Sequence, residues 1–393
     1  MDVLRLSNEL LTGGVSPYER YYSQLINGMT GAEMQADKDA VEINPNMRNT
    51  IQIIHWRLRA FVFLRRYNDL KMEIMRLRLL PSHVGTLPSW VPLSLILEGV
   101  ESSTYDNNSN EEEDADAILD GVYTLRHTIT KKDELIKLDI VLVNILVRRE
   151  EWRLALGSLD NILEYAEEAV KVWLERNGTR ASANDVEVLT KAIKVEMYSR
   201  QGKILLQAGA LPAAATVFER AHYEYQSMSP DIDTLNFVGN DLIVVRNVPT
   251  QILINEGLLH FAHIDYDLAE QKFMKAVGLQ RLEQGRGNDN ASRSSLSFDG
   301  LVDTEGDLLI PCLNNLALCT LYTCRMREAV NMMEGLIRED PTKYLTECMS
   351  FNLCTLYELG SDNARSEGRK RVLQSIAKRF TLHDIGPENF RLH

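Results

Sequence analysis

One spacing of small and aromatic residues constrains the fold more than any other feature of this sequence. A glycine is followed by an alanine twelve residues later, a phenylalanine after four more and an alanine after three more, in two full copies: Gly202, Ala214, Phe218, Ala221 and Gly257, Ala269, Phe273, Ala276. Two helices approach to about 8–10 Å where the side chains between them are small. This spacing is typical of the tetratricopeptide repeat, a pair of antiparallel helices. The sequence therefore predicts an all-α fold, a tetratricopeptide-like α-solenoid of antiparallel helix pairs with irregular inserts.

Weaker copies of the spacing extend the array in both directions. A third copy has Ala317, Ala329, Met333 and Leu336 at the four positions, and Pro341 ends the unit twelve residues after Ala329. Two degenerate copies place larger apolar residues at some of the small positions: Val143, Ala155, Leu159, Ile162 and Leu58, Leu70, Ile74, Leu77. These copies predict further helix pairs on both sides of the two full ones.

The tetrapeptide Cys-Thr-Leu-Tyr occurs twice, at 319–322 and at 354–357, a separation of 35 residues. Because this separation is close to the period of a two-helix repeat, we expect the two copies to mark equivalent first helices of adjacent pairs. The second helix of the last pair is then predicted at 365–380.

Three stretches of different composition interrupt the helical pattern. Residues 101–120 hold eight acidic residues and no basic one, which predicts a solvated and partly disordered linker. Gly202 and Gly257 are 55 residues apart, and Gly257 and Ala317 are 60 apart, more than the roughly 34 of a two-helix unit. The excess is assigned to inserts at 228–250 and 285–307, and the second is rich in Gly, Ser, Asn and Asp, which predicts an exposed, mobile loop. The predicted organisation is an N-terminal helical region with degenerate repeats at 1–100, the acidic linker, and a tetratricopeptide array with two inserts at 121–393.

The charge of the chain argues against nucleic acid as a partner. The 393 residues carry a net charge of −13 with a pI of about 5.2, so the field of the protein repels phosphate backbones. The apolar run at 140–147 is far shorter than the roughly 18–20 residues that span a bilayer. No basic segment followed by an apolar one occurs at the start, so we expect no signal peptide.

No motif of a catalytic, cofactor or metal site occurs in the sequence. There is no P-loop, no G-x-G-x-x-G after a strand and no G-x-S-x-G, so we predict a protein that is not an enzyme and has no cofactor. The five cysteines fall between Cys312 and Cys354 without a C-x-x-C pair, which predicts free buried thiols in a reducing cytosol. His260 and His263 lack the further ligands that zinc needs, and we expect packing or surface histidines.

A basic segment in the N-terminal region contrasts with the acidic whole. Residues 45–80 contain eight basic and two acidic residues, with aromatic residues among them. Two interpretations stay open: solvated faces of two helices, or a docking surface for an acidic partner segment or anionic lipid. The candidate partner-binding residues are Arg57, Arg59, Arg65, Arg66, Lys71, Arg76 and Arg78. A second basic strip, open to the same interpretations, comprises Arg365, Arg369, Lys370, Arg371, Lys378 and Arg379.

A free-standing, co-chaperone-like adaptor that binds a peptide segment of a partner is the alternative function. Tetratricopeptide arrays that hold chaperone C-termini grip a carboxylate with Lys, Asn and Arg side chains. Lys203, Asn315 and Asn352 lie on predicted first helices, but not in three regular adjacent units. Three more residues are at positions that line such a groove or pack between helices: Tyr198, Tyr266 and His260.

The C-terminal repeats resemble a known family. Three segments carry the resemblance: Asn-Asn-Leu-Ala at 314–317, Asp-Pro-Thr-Lys-Tyr-Leu at 340–345, and Phe351 to Leu359. They are similar to the Asn-Asn-x-Ala helix, the Asp-Pro-x-x-Tyr-Leu junction and the Phe-Asn-Leu-x-x-x-Tyr-Glu-Leu unit of the subunit 12 family of the transport protein particle (TRAPP) complex. The vertebrate members of that family have a long additional N-terminal region without a counterpart here.

The resemblance implies a non-catalytic scaffold subunit of a TRAPP III-type complex, whose small core subunits activate a Rab GTPase by nucleotide exchange. It implies subunits 8, 11 and 13 as neighbours, with only indirect contact to the GTPase. It further implies action in transport from the endoplasmic reticulum to the Golgi and in autophagy. The implied location is cytoplasmic, with peripheral attachment to early secretory membranes through the complex.

Overall fold

The computed structural model of the chain describes residues 112–176, 182–228, 240–287, 308–382 and 385–391, together with single positions between 54 and 73. These ranges contain twelve α-helices with defined bounds, a 3-10 turn at Pro387–Phe390, and no strand. The helices are α1 (Glu112–Thr128), α2 (Lys132–Arg148), α3 (Trp152–Arg176), α4 (Ala183–Gln207), α5 (Leu211–Gln226), α6 (Asn240–Ala262), α7 (Tyr266–Gly287), α8 (Leu309–Tyr322), α9 (Met326–Glu339), α10 (Pro341–Tyr344), α11 (Glu347–Gly360) and α12 (Asn363–Phe380).

Consecutive long helices pack in adjacent pairs: α2/α3, α4/α5, α6/α7, α8/α9 and α11/α12. Successive pairs are joined by contacts of α3 with α4, of α4 and α5 with α6, of α7 with α8, and of α9 with α11. The principal contacts of each pair are therefore with its neighbours along the chain, which is the organisation of a solenoid. The predicted all-α, solenoid-like fold is confirmed.

The chain divides into two compact units. The first comprises Met1–Thr124 with Thr381–Asp384, and the second comprises Leu125–Phe380 with Ile385–His393. The five helix pairs lie in the second unit. Helix α1 begins in the first unit and ends in the second.

Local side-chain caps set where two of the helices begin. The hydroxyl of Ser182 accepts a hydrogen bond from the Asp185 N–H at 3.1 Å, and the Asp185 carboxylate accepts from the Ser182 N–H at 2.8 Å. This reciprocal capping box satisfies two N–H groups that have no partner within α4. Before α10, the Asp340 carboxylate accepts from the Thr342 N–H at 2.9 Å. Pro341 is the first residue of α10, where its missing N–H costs no helical hydrogen bond.

The same turn joins the two helices of four pairs. Each turn contains one residue in the left-handed conformation: Glu150 (φ 59°), Gly209 (φ 75°), Ile264 (φ 66°) and Cys324 (φ 64°). The N–H of the next residue donates to the carbonyl oxygen five positions earlier, at 2.8 to 2.9 Å. This bond closes the C-terminus of the first helix in a Schellman motif.

The turn recurs in the first unit, at Arg65. Arg65 has φ 56°, and the N–H of Arg66 donates to the carbonyl oxygen of Phe61 at 2.8 Å. Leu58 and Leu70, seven residues before and five after Arg65, are fully buried. The same offsets of seven and five separate the left-handed residue from the packing positions in the four pairs of the second unit. A degenerate sequence thus adopts the same local geometry as the full pattern.

Helix α6 is longer than the sequence predicted. The predicted insert at 228–250 ends inside this helix, because α6 begins at Asn240 and continues through Pro249. A proline inside a helix costs about 3 kcal/mol. The burial of Val244, Val245 and Val248 offsets this cost. Residues 229–239 lie outside the described part of the chain.

Two other predicted interruptions also overlap helices. Helix α1 begins at Glu112, so the second half of the predicted acidic linker is helical, and residues 101–111 lie outside the described ranges. Helix α7 extends to Gly287, into the predicted insert at 285–307, whose residues 288–307 are likewise outside them.

The two Cys-Thr-Leu-Tyr copies lie on the first helices of neighbouring pairs, as predicted, but at different places along those helices. Tyr322 is the last residue of α8 and is 54% exposed. Tyr357 lies three residues before the end of α11, is 4% exposed, and donates to the Glu334 carboxylate at 2.9 Å. Helix α11 therefore continues for nearly one turn beyond its tetrapeptide, whereas α8 ends with it.

Candidate interaction surface

A phenylalanine ring occupies the space that a side chain at each paired glycine would need. A Cβ added to Gly202 would lie 2.1 Å from Cε1 of Phe218, and one added to Gly257 would lie 2.8 Å from the ring of Phe273. Carbon atoms in good contact are about 3.5–4.0 Å apart. The alanines of both copies are fully buried: Ala214, Ala221, Ala269 and Ala276.

The residues at the facing first-helix and second-helix positions vary in size in opposite directions from pair to pair. The glycines face phenylalanines, whereas Ala317 is paired with Met333 and Val143 with Leu159 in the spacing, and all four of these are buried. Protein interiors are close-packed, so a larger residue on one helix requires a smaller one on the other. This compensation keeps the helices of each pair close and fixes where the turn between them lies.

Three aromatic rings meet beside the turn that joins α6 to α7. Tyr266 stacks on Tyr322 with ring centroids 4.7 Å apart and planes at 17°. Phe261 contacts both rings edge-on, at 5.1 Å from Tyr266 and 5.5 Å from Tyr322. These residues, the aromatic cluster, come from α6, α7 and α8, so two successive helix pairs form it together.

The aromatic cluster is open to solvent and has charged neighbours. Tyr322 is half-exposed, and Arg325 in the turn that follows it forms ion pairs with Glu270 and, at 3.4 Å, with Glu328. An aromatic centre with a polar rim is the usual composition of a protein–protein interface. Tyr and Trp are also the residue types that most often dominate binding energy.

Ile264 stands at the turn next to the aromatic cluster and is unfavourable there for folding. It is 71% exposed and has φ 66°. A β-branched residue in the left-handed conformation is an outlier, and such strain concentrates at functional sites. Gly209 occupies the equivalent place in the preceding pair without strain. The exposed isoleucine and the aromatic cluster together form the candidate interaction surface.

One of the predicted partner-binding arginines is buried, which contradicts its proposed exposure. Arg57 is 8% exposed, and its Nε lies 3.1 Å from a carboxylate oxygen of Glu73. Its guanidinium also lies over the ring of Phe61, 5.3 Å from the centroid. A buried arginine is tolerated because a carboxylate pairs with it. Sequence alone could not separate this internal pair from a surface charge.

The other basic candidates of the 45–80 segment divide into two groups. Arg66 pairs with Asp69 at 2.7 Å, and Arg65 is the left-handed residue of its turn. Four more candidates lie outside the described positions: Arg59, Lys71, Arg76 and Arg78. With Arg57 excluded, a docking surface shared by the other six candidates stays a prediction.

Two of the three side chains proposed for a carboxylate clamp, Asn315 and Asn352, each bond to Asn314. The amide nitrogen of Asn352 donates to the side-chain oxygen of Asn314 at 2.9 Å, and the Asn314 amide donates to Asn315 at 3.4 Å. The bond between Asn352 and Asn314 joins α11 to α8. Of the predicted groove residues, Tyr266 belongs to the aromatic cluster, and His260 lies 3.9 Å from Asp265.

A shallow cleft between α4 and α6 contains polar groups without the marks of a catalytic site. Its polar lining consists of Glu196, Asn247 and Gln251. Burial acts to raise the pKa of Glu196, but the charges of Arg200 and Lys203 outweigh it and hold that pKa below its ordinary value. Glu196 is therefore an ion-paired carboxylate. The described residues contain no group of three or more His, Cys, Asp or Glu side chains that could hold a metal ion.

The cysteines are less uniformly buried than the sequence predicted. Cys312, Cys319 and Cys354 are buried free thiols, whereas Cys324 and Cys348 are exposed. Burial raises the pKa of Cys319 to about 12 and that of Cys354 to about 11. A thiol with such a pKa is protonated at neutral pH and a poor nucleophile.

Sequence reasoning did not identify two buried charges that hold helices together. Asp139, fully buried on α2, accepts from Arg126 at 2.7 Å and from the hydroxyl of Tyr165 at 2.7 Å. Burial raises the pKa of Tyr165, and the charge of Asp139 raises it further, so the phenol remains a donor. Lys370, the second buried charge, is on α12. For Asp139, the signal available in the sequence was an acidic residue directly before the apolar run of α2.

Lys370 has a carboxylate or carbonyl partner for each of its three donors. Its Nζ lies 2.7 Å from Glu358, 3.1 Å from Glu367 and 2.9 Å from the carbonyl oxygen of Arg391. The ammonium is therefore buried without an unsatisfied donor. These bonds join α11 and α12 to the chain after the 3-10 turn.

No helix within the described ranges combines the length and the apolarity that crossing a bilayer demands. The fold and the surface define a helical-repeat protein built of stacked helix pairs, of the class that presents surfaces to other macromolecules.

Two curated proteins resemble this chain, and no protein-family model matches it. Trafficking protein particle complex subunit 12 of Homo sapiens is 23% identical over 264 residues, which are 62% of this chain and 30% of the human protein. The subunit of the same name from Mus musculus is 33% identical over 66 residues, 17% of this chain and 8% of the mouse protein. The matched regions span less than a third of these relatives. The resemblance to subunit 12 is confirmed beyond the C-terminal motifs.

Proposed function

We propose that this protein is a non-catalytic scaffold subunit of a TRAPP complex, binding other subunits through its helical repeats. The observation that carries the proposal is the similarity to subunit 12 over 264 residues. The solenoid fold supports it, because stacked helix pairs expose a long surface for partners. The exposed aromatic cluster supports it as well, since aromatic residues in such a setting commonly anchor protein interfaces.

The finer assignment follows the family resemblance. The complex is of the TRAPP III type and acts as a Rab nucleotide-exchange and vesicle-tethering assembly in endoplasmic reticulum-to-Golgi transport and in autophagy. Subunits 8, 11 and 13 are the neighbours, and the GTPase is reached only through the complex. The protein is cytoplasmic and peripheral on early secretory membranes, without a cofactor and without nucleic acid as a partner.

Affinity purification of the tagged full chain from its host, followed by mass spectrometry, tests the assignment. We expect the other TRAPP subunits to be recovered in near-stoichiometric amounts. Recovery of a monomeric chain alone after gentle lysis would overturn the proposal. Micromolar binding of an acidic C-terminal peptide, lost in Lys203→Ala, would instead favour the adaptor.

A pair of matched variants tests whether the candidate interaction surface contributes. Ile264→Ser with Tyr322→Ser removes two exposed apolar side chains from that surface. Leu282→Ser with Tyr223→Ser removes two similarly exposed side chains elsewhere. We expect the first variant to lose at least one subunit from the purification and the second to retain all of them. Equal recovery with both variants would exclude this surface as a contact.

A further inference from the structure

Helix α12 separates its buried and outward residues cleanly. The buried residues recur every three or four positions and face the rest of the pair: Ser366, Lys370, Leu373 and Ala377. The outward residues include five cations: Arg365, Arg369, Arg371, Lys378 and Arg379. This basic face belongs to a chain whose net charge is −13.

The basic face is not neutralised within its own helix. Glu367 is the acidic residue of α12, and it is bound to the buried Lys370 at 3.1 Å. Among the described residues, Arg371, Lys378 and Arg379 have no ion-pair partner. Their charge therefore faces solvent and is available to an outside partner.

Two of the cations are positioned by weaker contacts. Arg369 lies over the ring of Tyr357 at 5.2 Å and 3.9 Å from Glu334. Arg365 lies 3.8 Å from Asp362. Exposed ion pairs of this kind contribute little to stability, so a partner carboxylate can replace them at small cost.

The cations form two rows with small residues between them. At 3.6 residues per turn, Arg365, Arg369 and Arg379 fall on one side of the outward face and Arg371 with Lys378 on the other. Ala364, Gly368 and Ser375 lie along the line between the rows. A Cβ added to Gly368 would meet no atom within 4 Å, so the line is open. Small residues are what allows another helix backbone to come close.

We propose that the basic face of α12 binds an acidic helix of a partner protein. Two cationic rows beside an open line match a helix that carries Glu or Asp on both sides of its contact stripe. The helix exposes two large apolar residues, Val372 and Phe380, but the line between the rows has Ala, Gly and Ser, so a membrane surface, whose insertion requires large apolar residues there, is a poorer fit. The proposal goes beyond the trafficking assignment and does not depend on it.

A synthetic helical peptide of glutamate and alanine serves as the probe, titrated against the full chain by fluorescence anisotropy. A proline-containing peptide of the same charge is the non-helical control. The variant carrying Arg371→Gln, Lys378→Gln and Arg379→Gln should bind the helical peptide about tenfold more weakly at low ionic strength, from three modest ion pairs. The matched control carries Arg220→Gln, Lys275→Gln and Arg281→Gln, which remove three exposed cations from α5 and α7. It should bind as the parent does.

A second variant tests the geometry without changing the charge. Gly368→Leu fills the line between the rows and raises helix propensity. It should weaken binding of the helical peptide several-fold and leave the non-helical peptide unaffected. Unchanged affinity in Gly368→Leu would overturn helix docking, and equal losses in the two charge variants would overturn a specific face.

Vesicles containing phosphatidylserine supply the competing outcome. Cosedimentation of the full chain with these vesicles, lost in the α12 charge variant and accompanied by no peptide binding, would replace the protein partner by a lipid surface. Failure of the subunit purification would leave this result untouched, since neither probe contains a TRAPP subunit.

Discussion

The central pairs, α4/α5 and α6/α7, and the last pair, α11/α12, have the same two-helix arrangement but are held by different contacts. In the central pairs a phenylalanine ring lies in the space left by a glycine, so shape determines the distance between the helices. In the last pair a buried ion joins the apolar contacts: the ammonium of Lys370 on α12 bonds to Glu358 on α11, to Glu367 on its own helix and to the carbonyl oxygen of Arg391. The Asn352–Asn314 bond adds a polar contact to the preceding pair.

The difference teaches that one architecture admits two kinds of packing, and that a sequence pattern reveals only one of them. Small residues at fixed spacing are visible in a sequence because sterics demands them. A buried ion cluster depends on which carboxylates the fold brings to one point. Burying charges is also costly unless every partner is present, so the two kinds of pair should respond differently to substitution.

Removal of the ammonium from the last pair should have the largest effect. Lys370→Met removes the cation that Glu358 and Glu367 share, although Arg391 stays 3.2 Å from Glu358, and we expect a loss of about 3 kcal/mol in the free energy of unfolding. Urea denaturation of the full chain measures it. Lys171→Met, at an exposed pair with Glu167, is the matched control and should change stability by less than about 0.5 kcal/mol. Similar values for both would mean that the buried cluster does not stabilise the pair.

One alanine substitution should have opposite signs at two glycines. Gly202→Ala places a methyl group against Phe218, and overpacking of this kind costs about 1–3 kcal/mol. Gly278→Ala meets nothing within 4 Å and should stabilise α7 by up to about 1 kcal/mol. Adding Phe218→Leu to Gly202→Ala should recover part of the loss, as Val143 with Leu159 suggests. Thermal unfolding of the three variants and the parent decides this, and a stabilising Gly202→Ala would refute packing by shape.

The turns offer a smaller, reciprocal test. Ile264→Gly relieves a left-handed β-branched residue and should raise the free energy of unfolding by about 1 kcal/mol. Gly209→Ile introduces the same strain in the equivalent turn and should lower it by a similar amount. Urea midpoints provide both values. Destabilisation by Ile264→Gly would show that the isoleucine supports folding rather than binding.

Labelling rates of the cysteines compare how tightly their helix pairs are packed, without any change in the stability of the protein. Cys324, exposed in its turn, should react first with an aromatic disulfide reagent at neutral pH. Cys348 should react more slowly although its residue is exposed, because partial desolvation of its thiol raises its pKa and so lowers its thiolate fraction. Raising the pH should increase the thiolate fraction of Cys348 and speed its labelling. Labelling of Cys319 or Cys354 as fast as Cys324 in the native protein would mean that their helices open readily.

Sequence reasoning predicted the features that recur in every helix pair and missed those that occur in one pair only. The helix pairs were predictable because Gly202 and Gly257 stand at fixed distances from Phe218 and Phe273. The left-handed turn at Ile264 was not, since only glycine and asparagine signal that conformation in a sequence. The extension of α6 through Pro249 was missed because tertiary burial overrides local propensity.

The candidate interaction surface was only partly predictable. Tyr266 was identified as a groove residue, but its stacking on Tyr322 depends on the meeting of two helix pairs. Arg57 was assigned to the surface because its partner Glu73 is sixteen residues away. Charge counted along a chain does not reveal which charges face each other.

The constant offsets around the left-handed turn have a consequence for the history of such a chain. Within a pair the distances of seven and five residues are fixed, whereas the interval from one turn to the next is 59, 55 and 60 residues. A residue gained inside a pair rotates everything after it by about 100° around the helix axis and misaligns the ring with its glycine. A residue gained between pairs leaves both distances within each pair unchanged. An insertion, whether acquired in evolution or made by adding a reporter domain, should therefore be tolerated between helix pairs and should disrupt the packing when it falls within a pair.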